Sequence, residues 1–255
     1  MNSTRPQIGF DRFIQLDWAA AALRVRAGVS SLDDLTDLID ATHSGPAAKK
    51  KTRTVLNRLW LEPRPDLADF AERGVKIYRE APDTPISALT WGMALATYPF
   101  FGKVAEIVGR LTALQGDCTS AEVHRRMTEI FGEREGTRRM TNMVLQSQAS
   151  WGAIERVDKG KRIVRNPPIE LDASPAAAWL AEACVRYAGR SLSHRLQPDH
   201  LPLLARRLEF VSFVEVSLPG NAGRQRGQSS GRARNMIERV PGPIHRDISG
   251  PHARA

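Results

Sequence analysis

From Thr84 to Gly102 the chain runs TPISALTWGMALATYPFFG, nineteen residues without a charge. Such a segment either crosses a bilayer or lies at the centre of a core that surrounds it. Two Pro, three Thr and one Ser make it polar for a span and barely long enough for one. The spacing predicts a buried helix over about Ile86 to Thr97, which other elements must cover on every side. With 255 residues, 42% apolar and 25% charged, the chain can supply that cover. The same figures exclude a wholly disordered chain, a collagen-like chain and a multi-span membrane protein.

The segments before it read as helices that form such a cover. From Asp11, the positions Phe13, Leu16, Ala20 and Leu23 repeat at helical spacing, and Gly28 ends the run. Residues 1–10 read as a loose end. Ser30 or Ser31 can cap a second helix with Asp33 and Asp34 in its first turn, and Leu32, Leu35, Leu38 and Ile39 as its buried stripe. A third runs from about Ala47 to Leu61, burying Val55, Leu56, Leu59 and Trp60. A fourth carries Leu67, Phe70, Gly74 and Ile77. Residues 1–100 are therefore expected to form a bundle of about five helices.

Residues 102–167 follow a different pattern. Val104, Ile107, Val108, Leu111 and Leu114 make one stripe, stopped by Gly116. Thr119 precedes Glu122 by three, a capping box for a helix that buries Val123, Met127 and Ile130 and ends at Gly132. A further helix spans about Arg134 to Trp151, with Met140, Val144, Ser147 and Trp151 inward. Then Ala153–Val157 and Arg162–Arg165 read as short strands around the turn Asp158-Lys159-Gly160-Lys161, closed by Pro167 and Pro168.

Three helices followed by a basic hairpin resemble the winged helix-turn-helix superfamily. The resemblance implies that the helix from Arg134 to Trp151 enters the major groove of DNA and that the hairpin touches the flanking backbone. The residue types agree on their own account. Opposite the inward positions stand Arg138, Asn142 and Gln146, with Arg139 beside them and Arg134 at the helix start; Arg suits guanine, and Asn or Gln suits adenine. Leu145 and Ala149 fall near this exposed face. Lys159, Lys161, Arg162 and Arg165 are phosphate-contact chemistry. Arg134 to Arg165 holds 8 basic and 3 acidic residues, a net of +5. Taken whole, the helical N-terminal part, the junction TYPFFGKVAEIVGRL and the segment after it resemble accessory proteins of phage-defence islands, nearest the BrxA family of BREX systems.

The formal net charge is +9, which favours an anionic partner. Residues 219–255 hold 7 Arg against Glu238 and Asp247, with no apolar period, so a disordered basic tail is expected there. Residues 168–218 read as a short helical segment: Ser174-Pro175 caps a helix with Leu180, Ala183, Cys184 and Tyr187 inward, and Leu201 to Val216 suits helix or strand. Lys49, Lys50, Lys51 and Arg53 form a second candidate basic patch. They crowd the first turn of a helix, against its dipole.

Other chemistry is sparse. Cys118 and Cys184 form no CxxC pair, and His43, His124, His194, His200, His245 and His252 have no metal-site spacing, although His194 and His200 flank Asp199. No GxxxxGK[ST] or GxGxxG occurs. Trp60, Trp91, Trp151 and Trp179 are expected in the core. Residues 1–30 carry no basic stretch ahead of an apolar run, so no secretory leader is expected. The sequence thus leads to a mainly α, cytoplasmic, non-enzymatic protein that binds double-stranded DNA. It would act as a regulator or as the recruiting subunit of a defence complex, without cofactor, metal, membrane contact or small-molecule substrate. A protein–protein scaffold and an RNA-binding protein are the alternatives.

Overall fold

The computed structural model describes residues 9–172, 174–191 and 214–217. The tail expected over 219–255 and the residues His194, Asp199, His200, His245 and His252 lie outside the described residues.

The chain is mainly helical. Helix α1 (Leu16–Arg26) leads to α2 (Leu32–Thr42), α3 (Pro46–Leu56), α4 (Ala68–Glu80) and α5 (Ile86–Thr97). The uncharged segment is α5, and every residue from Ala88 to Thr97 is buried. No helix among the described residues is long and apolar enough to cross a membrane. Ser31 and Asp34 close the capping box that starts α2. Helix α3 does not reach Leu61 as one α-helix: Asn57–Leu61 is a π turn. The change from i−4 to i−5 bonding frees a carbonyl there, and the Tyr98 hydroxyl donates to the Val55 carbonyl at 3.0 Å.

Helix α6 (Pro99–Gln115) follows α5 and feeds β1 (Asp117–Thr119), α7 (Ser120–Phe131), α8 (Glu135–Ser150), β2 (Ile154–Val157) and β3 (Arg162–Arg165). The three strands form an antiparallel sheet in the order β1-β3-β2, with Cys118 opposite Ile163 and Arg156 opposite Ile163 on the other side. The capping box of Thr119 and Glu122 starts α7 as expected. Gly116, Gly132 and Gly152 end α6, α7 and α8 with φ of 85°, 86° and 81°.

After β4 (Ile169–Asp172) comes α9 (Pro175–Ser191). Residues 168–218 are not helical throughout, since β4 pairs in parallel with β5 (Val214–Ser217). Helix α9 lies along α5 and also meets α6, and one glycine on each permits it. A Cβ on Gly92 would stand 2.4 Å from the Trp179 ring, and one on Gly102 2.4 Å from the Tyr187 ring. Trp179 also stacks on Phe70 at 4.4 Å and donates its indole N–H to the Phe70 carbonyl at 2.8 Å. Buried Glu106 of α6 accepts from Lys103 and from the Tyr187 hydroxyl, each at 2.7 Å.

One buried cluster runs through α1–α9 and the three-stranded sheet. Phe100 meets Phe131 at 4.8 Å, which carries the core from α6 into α7. The start of the chain joins it too. Residues 9 and 10 are not a loose end: Phe10 is buried against Tyr98, Phe101 and Trp151. The first helix begins at Leu16, five residues later than its apolar spacing implied, because residues 11–15 run along α8 instead.

Four stripe positions are exposed. Leu32 and Leu38 stand out from α2, which packs through Leu35 and Ile39 alone. Leu114 sits in the last turn of α6, just before the chain leaves at Gly116, and Ile130 faces outward from α7. The inward face of α8 is also rotated from its expected position. Thr137, Thr141, Val144, Leu145, Ser147 and Gln148 are buried, and Met140 is only half-buried. Thr137 and Thr141 can be buried because their hydroxyls donate to the Gly132 and Thr137 carbonyls, at 3.1 and 2.8 Å. Residues 14–16 bond Ser147, Ser150 and Trp151 at the C-terminal end of α8.

Candidate nucleic-acid interface

Helices α7 and α8 and the turn between β2 and β3 enclose an open cleft of about 1400 Å³. Of the residues singled out from the sequence, Arg134, Arg138, Arg139, Asn142, Lys159 and Lys161 line it. Gln146, Arg162 and Arg165 do not. Gln146 lies one turn further along α8. Arg162 is ion-paired with Asp117 of β1. Arg165 is half-buried at the end of β3, opposite Ile154.

The two ends of α8 have different duties. At its C-terminal end, Ser147 Oγ accepts from the Ile14 amide at 2.9 Å, Ser150 Oγ accepts from the Leu16 amide at 3.2 Å, and Trp151 donates to the Ile14 carbonyl at 2.9 Å. That half is fixed to the body. The N-terminal half carries Arg138 and Arg139 exposed and Asn142 half-exposed toward the cleft.

The β2–β3 turn is held rather than loose. The Ser120 amide donates to the Lys161 carbonyl at 2.9 Å, and its hydroxyl donates to the Gly160 carbonyl at 3.0 Å. Arg156 Nη2 donates to the same Gly160 carbonyl at 3.2 Å. Three successive residues, Asp158, Lys159 and Gly160, take positive φ of 50°, 55° and 82°. For Asp158 and Lys159 this is a strained geometry, kept by the anchors to α7. It presents Lys159 and Lys161 at the cleft rim, both exposed.

Two cleft residues escaped the sequence reading, His124 of α7 and Arg156 of β2. Burial, then the positive charges of Arg138 and Arg156, hold the His124 pKa below the ordinary imidazole value. Hydrogen bonds from the Thr119 backbone and side chain hold Glu122 below the usual carboxylate range, so the capping box stays ionised. Each residue had a signal. His124 stands one turn beyond Ser120 on α7, and Arg156 shares the inner face of β2 with Ile154 by simple alternation.

The cations are distributed unevenly in their pairing. Several cations elsewhere have carboxylate partners: Lys103 and Arg110 pair with Glu106, and Arg73 and Arg186 with Glu182, whereas Lys50, Lys51 and Arg53 of α3 have none among the described residues. In the cleft, Arg134, Arg138, Arg139, Arg156, Lys159 and Lys161 form no ion pair among the described residues, although Glu129, Glu133 and Glu135 share the cleft. Glu129 is engaged by Arg125 at 3.7 Å and Arg126 at 3.3 Å.

The second basic patch lies on α3. Lys49 is paired with Asp40 at 3.2 Å; Lys50, Arg53, Thr54 and Asn57 follow one helical stripe beside it, and Lys51 is exposed. Cys118 and Cys184 are free thiols, and burial pushes both up to about 12. No cluster of three metal-ligating side chains occurs among the described residues. The chain matches no family model, no curated protein and no solved structure.

Proposed function

We propose that this protein binds duplex DNA through the cleft, with the N-terminal half of α8 in the major groove and the β2–β3 turn on the adjacent backbone. The observation that carries the reading is the set of six cleft cations without a carboxylate partner among the described residues. Concentrated positive charge is costly unless an anion completes it, and a polyphosphate backbone supplies one at regular spacing. The element order α6-β1-α7-α8-β2-β3, with sheet order β1-β3-β2, supports a winged helix-turn-helix.

Arg138 and Asn142 are the base-reading candidates, since they stand a helical turn apart on the free half of α8. Arg134, Lys159 and Lys161 contact phosphates. Gln146 and Arg162 are set aside as DNA contacts, being a turn beyond the cleft and ion-paired with Asp117. The deep, narrow major groove of duplex RNA does not admit a helix, so duplex RNA should compete poorly. The body that carries the cleft suits a regulator or the recruiting subunit of a larger complex.

The test is a salt-titrated competition of the purified chain between preferred duplex DNA, random duplex DNA and duplex RNA. Lys159→Ala with Lys161→Ala should weaken both DNA duplexes equally and flatten the salt slope by about 2. Arg138→Ala or Asn142→Ala should cost about 1–3 kcal/mol on the preferred site and little on random DNA. Unchanged affinity in all three variants, each folded by circular dichroism, overturns the reading and leaves the scaffold alternative.

A further inference from the structure

The cleft contains a feature that general attraction to DNA does not require. His124 and Arg156 come to one place from different elements, α7 and β2. The Gly160 carbonyl accepts from both Ser120 Oγ and Arg156 Nη2, which draws the Arg156 guanidinium alongside α7, one turn from where His124 projects. Arg156 Nε and His124 Nδ1 are both enclosed with no hydrogen-bond partner among the described residues. His124 Nδ1 being enclosed, Nε2 is the ring nitrogen left toward the cleft. Arg138 faces the same imidazole from α8.

We propose that His124 and Arg156 together seat one phosphodiester group of the bound nucleic acid, and that His124 takes up a proton as the phosphate enters. The inference rests on the DNA-binding reading and adds a specific phosphate seat and its regulation by pH.

The imidazole is half-buried and faces two guanidinium groups, Arg138 from α8 and Arg156 from β2, so a third positive charge is disfavoured. Around it, α7 contributes Arg125 and Glu129, the start of α8 contributes Arg134, Glu135 and Arg139, and the turn contributes Lys159 and Lys161. Glu129 is already shared between Arg125 and Arg126. A phosphate between His124 and Arg156 reverses the balance. It accepts from Arg156, and a protonated Nε2 donates a charge-assisted hydrogen bond to it. The proton comes from solvent and returns there when the nucleic acid leaves.

The sign of the pH effect follows. Above the bound-state pKa, His124 is neutral whether bound or free, and affinity is flat. Between the bound-state and free-state values each binding event takes up a proton, so affinity rises as pH falls, by up to about tenfold per pH unit. Below the free-state value the ring is charged in both states and affinity is flat again.

The experiment measures duplex DNA affinity by fluorescence anisotropy from pH 5 to 8 at fixed ionic strength, for the full chain and for His124→Gln. The full chain should bind more tightly as pH falls. The variant should lose most of the slope, its affinity changing by no more than about threefold between pH 8 and pH 5. The same slope in the variant overturns the proposal and leaves the DNA-binding reading intact. No duplex binding at any pH overturns both.

A second measurement needs no variant to fold. The imidazole signal of His124 is titrated by NMR in the free protein, with duplex DNA, and with inorganic phosphate. An upward pKa displacement with the duplex but not with inorganic phosphate supports a backbone phosphate. No displacement with the duplex, or displacement with inorganic phosphate alone, overturns it.

Discussion

Trp151 donates its indole N–H to the carbonyl of Ile14 at 2.9 Å, across 137 positions of sequence. With Ser147 Oγ accepting from the Ile14 amide, both polar groups of one extended backbone residue are taken by the end of α8.

Trp151→Phe keeps the apolar ring and leaves the Ile14 carbonyl without its donor. It should cost about 1–3 kcal/mol of unfolding free energy, the usual penalty for a buried polar group left unpaired. Ser147→Ala should cost a similar amount. Denaturant unfolding measures both, and neither should change duplex affinity more than about twofold, because the cleft lies at the other end of the helix.

Lys159 has φ 55° and ψ 33°, left-handed for a residue with a Cβ. Lys159→Gly should therefore be more stable than Lys159→Ala by about 1 kcal/mol. Both lose the same cation and should lose duplex affinity equally. Melting temperatures compared with salt-slope measurements separate the two effects. Equal melting of the two variants would show that the turn is not strained.

The sequence was legible where short-range chemistry decides the structure. The Thr119–Glu122 capping box, the glycine stops at 116, 132 and 152, and the two strands around residues 158–161 are local signals, and each is present. The uncharged segment became α5 because nothing but burial suits it. What was missed depends on distant partners. Strand β1 is three residues with no pattern of its own and exists through pairing with β3. Ser147 and Trp151 are held by Ile14, which arrives on α8 from the far end of the sequence. In the same way, the charge on Arg162 looked available until β1 brought Asp117 beside it.

Gly92→Ala places a Cβ 2.4 Å from the rigid Trp179 ring, which is stacked on Phe70 and cannot swing aside. The substitution should cost about 1–3 kcal/mol, the usual scale of an overpacked core, with a change in tryptophan fluorescence as α9 is displaced. Gly189→Ala, on the same α9 with nothing among the described residues within 4 Å, should be close to neutral in the same unfolding assay.

Glu182 is held down to about 2, first by its hydrogen bonds from Arg73 and then by that of Arg186, against the opposing effect of burial. Its folded-state pKa lies below the unfolded one, so the stabilisation is present above about pH 4.5 and is lost as pH falls toward 2. Glu182→Gln should be less stable than the parent at neutral pH, and the two curves should converge in acid. Parallel curves down to pH 2 would show that the pair contributes nothing to folding.

The covering of α8 by residues 10–16 also bears on inheritance. A gene segment encoding only residues 99–167 would carry Trp151, Phe101 and Phe131 without Phe10 and Ile14, and Ser147 without the amide it accepts from. Such a piece could not be moved into another chain and keep the helix in place. Recombination would have to carry the first helix along with the cleft. Homologues of this protein should therefore vary by substitution within the whole unit, and by insertions at its exposed turns, rather than by exchange of the hairpin part.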